Sequence, residues 1–439
     1  MTRNPTSVTI RTYDVGFGDC FLLSFKYDAD NYRHVLIDCG SQASKKSPKI
    51  SLQAAAQSIK ALTGGKLHVV VATHRHQDHI SGFGMEGVGS LIEAMAPDAV
   101  LQPWTEDPDI PEDADAPPLN GRGSAQRKGM AAHRQTLASM NALAESLFAD
   151  PKSRFLKSLR SDSAETADQL RFTGSNNIKN RKAVDALQRM SADGKGRYLH
   201  AGQNPKLGRI LPGVKVEVLG PPTVVQHARV RKQTSRHKDE FWHLSAACAS
   251  GTAAGADPFA GRKPAKPSKI PQEAMWFTHR LSRLHTDSML GIVRQLDRAM
   301  NNTSLILLFT VGDKAFLFPG DAQLENWEYA MSQPKVMAKL AQVDVYKVGH
   351  HGSLNATPKS VWAKLVDSDG TTRPKKQLTT LLSTMHGKHG HDHARTEVPR
   401  RTLLAALKSK SRLINTEDFE DELYQEVVVP LSEPGGENA

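Results

Sequence analysis

Leu67-His-Val-Val-Val-Ala-Thr73 runs directly into His74-Arg-His76-Gln-Asp78-His79. The first stretch is an apolar run of the kind found in a strand buried on both faces, as a parallel strand between two layers must be. The second is dense in side chains that bind metals. In extended chain His74 and His76 project the same way, and a turn into a helix brings Asp78 and His79 round to a neighbouring point. Such a set can hold two adjacent ions. Imidazole together with carboxylate suits Zn2+ or Mn2+, and the lack of a cysteine ligand argues against a purely structural zinc. A histidine-rich surface loop is the competing reading.

Upstream, Val8-Thr-Ile-Arg-Thr-Tyr-Asp14 alternates as a strand, Gly16-Phe-Gly18-Asp19 is a tight turn, and Cys20-Phe-Leu-Leu-Ser-Phe returns as a second strand. His34-Val-Leu-Ile-Asp38 reads as a third. Ile50, Leu52, Ala55, Ile59 and Leu62 have helical spacing. Strands, helix and buried strand in that order predict an α/β layered domain.

Downstream of residue 104 the pattern loosens. Residues 105–123 are acidic and proline-rich, a loop by composition. From Ser124 to about Met190 the chain is mostly helix-compatible, with Leu137, Met140, Leu143, Ala144 and Leu147 on one face. Val214 to Leu219 alternates as a strand, and residues 225–285 form a basic insertion centred on small residues. Strand character returns at Ser304 to Phe309 and Lys314 to Phe318, joined by Gly312-Asp313 as a hairpin. A helix from Leu324 to Met331 and a buried strand from Asp344 to Val348 follow. Thr379 to Ser383 reads as a strand, Arg400 to Lys408 as a helix, and the regions of Leu413 and Val427 as strands. The expected organisation is a first half over 1–104, a helical and basic insertion region over 105–300 with a strand near 214–219, and a second half over 301–439.

Composition sets wider bounds. With 439 residues, 39% of them hydrophobic, there is room for one large layered domain with insertions or for two domains. Cys20, Cys39 and Cys248 cannot form an even disulfide framework and sit among apolar or small residues, as expected in a reducing compartment. No leader-like apolar region opens the chain, and no stretch approaches the ~18 apolar residues of a spanning helix. A cytoplasmic location without a membrane partner is the expectation. The formal charge of +11 is a bias towards polyanions, nucleic acid among them.

The His-x-His-x-Asp-His motif resembles that of the metallo-β-lactamase superfamily. Within it, the chain is similar to the hydrolase domain of the competence protein ComEC and its standalone relatives. The blocks that carry the likeness are Asp14-Val-Gly-Phe-Gly-Asp19, Leu36-Ile-Asp-Cys-Gly40, Thr73-His-Arg-His-Gln-Asp-His-Ile-Ser-Gly82, Asn301-Asn-Thr-Ser304, Phe318-Pro-Gly-Asp321 and Lys347-Val-Gly-His-His-Gly-Ser353. They stand in family order over about residues 8–390. The fold implied is a four-layered αββα sandwich with large insertions.

The resemblance implies a metal set of His74, His76, Asp78, His79, Asp321 and His350, with Asp321 bridging both ions and His350 completing the second site. Asp78, also a ligand, and His351 are the expected catalytic residues. His351 would act as general acid or phosphate-facing donor, with a hydrogen-bonding role behind the ligands as the alternative. Asp38 is expected to orient a metal-bound histidine through its other nitrogen, and Asp19 to fix the first turn. Many superfamily members add a histidine from the block equivalent to Asn301-Asn-Thr-Ser304. Here Asn302 or water would fill that place, or His279 or His285 would reach in from the insertion. His386 belongs to a histidine-rich loop with His389, His391 and His393 that could hold a phosphate or stay a solvated loop.

Two Zn2+ or Mn2+ ions sharing Asp321 would share a water, lower its pKa and aim it at an electrophile. The same core serves phosphodiesters and carbonyls, so fold alone does not decide the substrate. A nuclease acting on DNA or RNA is the leading expectation, in nucleic-acid degradation or defence. Arg262, Lys263, Lys266 and Lys269 are its expected nucleic-acid contacts, and a regulatory protein partner or processing protease is expected to open the site. A small-molecule hydrolase for a lactone, thioester or cyclic nucleotide is one alternative. A metal-binding interaction protein with a blocked site is the other.

Overall fold

A computed structural model describes residues 4–43, 50–108, 180–223, 225–227, 301–353, 357–366, 378–388 and 397–431. Among these, thirteen strands form two mixed sheets. The first sheet has the order β13(Tyr424–Pro430), β1(Ser7–Tyr13), β2(Cys20–Lys26), β3(Tyr32–Cys39), β4(Val69–Val71), β5(Ala99–Pro103), β6(Gly196–Leu199). It is antiparallel from β13 to β3 and parallel from β3 to β6. The second has the order β12(Arg412–Asn415), β11(Thr379–Leu382), β10(Val345–Lys347), β9(Lys314–Phe318), β8(Ile306–Val311), β7(Lys215–Gly220). It is parallel from β12 to β9 and antiparallel from β9 to β7.

The period of two along each strand sorts side chains between layers. Val69 and Val71 join Phe21, Ile37, Leu307, Phe316 and Phe318 in one apolar cluster between the sheets. Val70 points the other way, into a cluster with Leu22, Leu36 and the helices α1(Leu52–Leu62), α2(Gln77–Gly84), α3(Val88–Ala94) and α4(Arg181–Met190). Ile306, Leu308, Leu317 and Tyr346 face a third cluster with α5(Leu324–Met331), α6(Pro334–Leu340), α7(Lys359–Val366) and α8(Arg401–Lys410). This is why β4 is apolar at every position: both of its faces are covered, and each buried valine contributes about 1.5–3 kcal/mol relative to exposure. The chain is therefore an α/β protein with two mixed sheets and eight helices among the described residues. No described helix is long and apolar enough to cross a membrane.

Within the region 105–300, residues 180–220 contribute a helix and two strands to the layers, the second of them the strand expected near 214–219. Helix α4 packs on α2, β6 closes one edge of the first sheet, and β7 closes one edge of the second. Ala183, Ala186, Leu187 and Met190 give α4 a buried stripe at helical spacing. Strand β6 buries only Leu199 fully, so it has no alternation to read. The helix face at Leu137 to Leu147 and Cys248 lie outside the described residues.

The two sheets are stitched together at one end. The Leu305 amide donates to the Thr73 carbonyl at 2.9 Å. Close by, Gly320 adopts φ +55°, and a Cβ there would stand 2.8 Å from Thr73 Cβ, so the turn carrying Asp321 needs glycine on both counts.

Candidate metal centre

Each candidate ligand follows the carboxyl end of a parallel strand, where open α/β sheets place their ligands. His74 and His76 follow β4, Asp321 follows β9, and His350 and His351 follow β10. Asp78 and His79 lie in the first turn of α2, for which His76 is the N-cap. That turn sits directly on backbone. A Cβ on Gly40 would come within 2.4 Å of Asp78 C and His79 N, and Asp19 N donates to the Asp78 carbonyl at 2.8 Å. Glycine at position 40 thus lets α2 start against the turn that follows β3.

Asp321 Oδ2 is the hub. It is 3.1 Å from His79 Nε2, 3.9 Å from His350 Nε2, 3.9 Å from His351 Nε2 and 4.0 Å from His74 Nε2. His76 stacks edge-on against His74, with ring centroids 4.6 Å apart. Asp78, His79, Asp321 and His351 present one donor atom each within 4.8 Å of one another, and all four are buried. His351 Nε2 lies 2.9 Å from Asp78 Oδ2.

The far nitrogens are anchored. His79 Nδ1 lies 2.8 Å from Asp38 Oδ2, the orienting contact expected of Asp38, which also takes the Thr73 amide at 2.7 Å. His74 Nδ1 meets Thr73 Oγ1 at 3.2 Å, His350 Nδ1 meets Ser353 Oγ at 2.8 Å, and His351 Nδ1 meets the Ser383 carbonyl at 2.9 Å. Binding each ring by Nδ1 fixes its orientation and leaves Nε2 aimed inward, the arrangement of metal-ligating histidines.

Several inward atoms are buried and lack a hydrogen bond among the described residues: His74 Nε2, His79 Nε2, Asp78 Oδ1 and Asp321 Oδ2. His79 Nε2 and Asp321 Oδ2 are close, yet the geometry is not that of a hydrogen bond; both face a common point. Leaving a buried polar group unsatisfied costs about 1–3 kcal/mol, and more for charged groups. Four such atoms converge on a point where they could hold a cation. Two donors on one tetrahedral zinc, with bonds of about 2.0–2.2 Å, stand roughly 3.3–3.6 Å apart; the 3.1 Å contact is a little shorter and the 3.9–4.0 Å contacts a little longer than that, so small side-chain shifts would bring these donors onto an ion.

Charge is divided across the centre. Burial pushes His74 well below the ordinary histidine value, His76 down to about 4, and His350 below the ordinary value too. Those shifts favour the neutral ring, the form that ligates metal. Burial works downward on His79 as well, but the Asp321, Asp19 and Asp38 carboxylates carry it well above the usual range. Burial also opposes protonation of His351, which the Asp78 hydrogen bond and the Asp19 charge raise. Burial would raise Asp78 and Asp321, yet His351 and His79 hold Asp78 low, while His79 and Lys347 hold Asp321 low.

The structure separates His350 from His351 in a way the sequence reading does not. The resemblance gives the second group to His350; the four-residue buried group includes His351, while His350 Nε2 and His351 Nε2 each stand 3.9 Å from Asp321 Oδ2. Both residues, and Gly352 after them, are left-handed, with φ of +43°, +51° and +80°. This turn splays the two rings 6.3 Å apart, His350 partly exposed and His351 fully buried. Asn302 is buried, and its amide donates to Glu325 Oε2 at 3.2 Å. His386 is exposed, held through its backbone amide by Glu417. Arg262, Lys263, Lys266, Lys269, His279, His285, His389, His391 and His393 lie outside the described residues.

Sequence reasoning gave no role to Lys347. It is 2% exposed, with Nζ 2.5 Å from Asp19 Oδ2, 3.1 Å from the Gly320 carbonyl and 3.4 Å from Asp321 Oδ1. A lysine inside the buried run Val345-Tyr-Lys347-Val348 was the available signal, because a buried ammonium demands a buried acid.

No protein-family model matches this chain, and no curated protein matches it.

Proposed function

We propose that the chain is a metal-dependent hydrolase of the metallo-β-lactamase fold, a four-layered αββα sandwich whose centre holds two divalent ions, Zn2+ or Mn2+. The observation that carries the reading is Asp321 Oδ2: a buried carboxylate oxygen without a hydrogen bond, ringed by four imidazole Nε2 atoms at 3.1–4.0 Å. One ion would be held by His74, His76, Asp321 and His350, the other by Asp78, His79, Asp321 and His351. In this division His350 takes the place for which the Asn301-Asn-Thr-Ser304 block has no histidine. Bound divalent ions supply Lewis acidity towards a phosphoryl or carbonyl oxygen and lower the pKa of an attacking water.

The protein's own contribution is placement. Asp38, Thr73, Ser353 and the Ser383 carbonyl fix the rings. The backbone amide of His350 donates to Asp321 Oδ1 at 3.0 Å and so orients that carboxylate. His350, partly exposed and adjacent to Asp321, is the ligand nearest to bulk solvent, which puts the approach of substrate on its side of the centre.

Nucleic acid is the substrate class we favour. The formal charge of +11 supports it, as does the basic segment holding Arg262, Lys263, Lys266 and Lys269. The test is hydrolysis of single-stranded, double-stranded and circular DNA and of RNA by the Zn2+- or Mn2+-loaded protein over a salt series. Cleavage whose substrate affinity falls steeply with salt supports a nuclease. Turnover of a lactone, thioester or cyclic nucleotide with no nucleic-acid cleavage would replace the substrate class. Metal uptake without turnover of any of these would remove the enzyme reading.

A further inference from the structure

Resting on the metal-centre reading, we propose that Lys347 and Asp19 form a buried ion pair that positions Asp321, so that one carboxylate oxygen is committed to the protein and only the other faces the ligand histidines. The ammonium donates to the Gly320 carbonyl and to Asp321 Oδ1, and Asp19 Oδ2 stands at ion-pair distance, 2.5 Å from Nζ. Asp321 Oδ1 also receives the His350 amide at 3.0 Å. A carboxylate is planar, so two donors on Oδ1 fix the direction of Oδ2, which is the oxygen at the middle of the four imidazoles.

Asp19 is more than a counter-charge. Its amide donates to the Asp78 carbonyl at 2.8 Å, and its own carbonyl accepts the Gly40 amide at 3.0 Å. Its carboxylate stands 3.5 Å from His79 Nδ1 and 3.7 Å from His351 Nδ1. The pair therefore ties together the first turn of α2, the turn at Gly320-Asp321 and the strand that delivers His350 and His351. Lys347 touches no inward-facing ligand atom. It acts through Asp321, as a positioning residue.

The experiment follows cobalt(II) uptake and the visible ligand-field bands of the cobalt-loaded protein, with thermal melting alongside. Lys347→Met alone strands a buried acid, so the informative variant is Asp19→Asn/Lys347→Met, which removes both charges and keeps similar volumes. We expect it to melt cooperatively within a few degrees of the wild type, to bind cobalt roughly tenfold or more weakly, and to show shifted bands. Wild-type affinity and bands in a folded double variant would overturn the proposal and leave the pair a structural ion pair only. Should the double variant fail to melt cooperatively, Lys347→Arg decides. It keeps the charge but not a single ammonium on Asp321 Oδ1, so shifted bands support the proposal and unaltered bands overturn it. A wild-type protein that takes up no cobalt overturns the metal-centre reading itself, and the inference falls with it.

Discussion

His351 Nε2 lies 2.9 Å from Asp78 Oδ2, a contact between residues 273 apart in sequence. It joins a strand end in the second sheet to the first turn of a helix against the first sheet. The centre therefore draws on residues of both packed sheets. His351→Ala or Asp78→Ala should each remove close to one metal equivalent per chain and abolish turnover. Elemental analysis of the desalted, zinc-loaded variants checks this; two equivalents retained by Asp78→Ala would show that the second group is wrongly drawn.

The left-handed turn makes a prediction about stability that runs against the usual rank of residues. At φ +43° a Cβ costs about 1–2 kcal/mol that glycine does not incur. His350→Gly should therefore leave the metal-free protein about 1 kcal/mol more stable than His350→Ala, while both lose metal from the first group. Urea denaturation of the two metal-free variants measures the difference. An alanine variant as stable as the glycine variant would mean that the turn relaxes out of the left-handed region.

Much of this was readable from the chain. The apolar run before His74 marks a two-face-buried strand, and the helix-initiating position of Asp78 and His79 follows from the turn after it. Gly320-Asp321 and Gly349-His-His-Gly352 each end a recognisable strand, so the general placement of the candidate ligands at strand ends was legible as well. Which of His350 and His351 joins the buried group of Asp78, His79 and Asp321 was not legible, because both lie in a left-handed turn that histidine does not advertise. Strand β6 lacked any alternation, and Lys347 acquires meaning only when Asp19 is brought to it from the other sheet.

Away from the centre, His34 and His68 should make the fold sensitive to acid. The His34 amide donates to His68 Nδ1 at 3.0 Å, a bond that protonation of that nitrogen destroys. Burial brings each of them down to about 4 from the ordinary 6.5. Because the folded values are the lower ones, the unfolded chain binds the extra protons. Their contribution is thus full above about pH 6.5 and is lost as pH falls towards 4, at up to about 1.4 kcal/mol per pH unit for each group. His68→Asn, whose Oδ1 can accept the same amide, should shallow the decline in unfolding free energy between pH 7 and 5. An identical slope in the variant would remove His68 from the acid response.

Gly40 should tolerate no side chain. A Cβ within 2.4 Å of the Asp78 and His79 backbone forces the first turn of α2 outward, at a cost of about 1–3 kcal/mol. Gly40→Ala should melt lower and hold less metal than the wild type, because the displaced turn carries two ligands. A variant with the wild-type melting temperature and metal content would mean that α2 does not depend on this close approach.

The central claim, that Asp321 Oδ2 stands between two metal ions, is tested most directly by anomalous diffraction at the zinc edge on crystals of the zinc-loaded protein. Two peaks about 3.5–4 Å apart are expected, one within bonding distance of His74, His76 and His350, the other of Asp78, His79 and His351, with Asp321 Oδ2 reaching both. No peak at Asp321, or zinc bound only elsewhere on the chain, would contradict it.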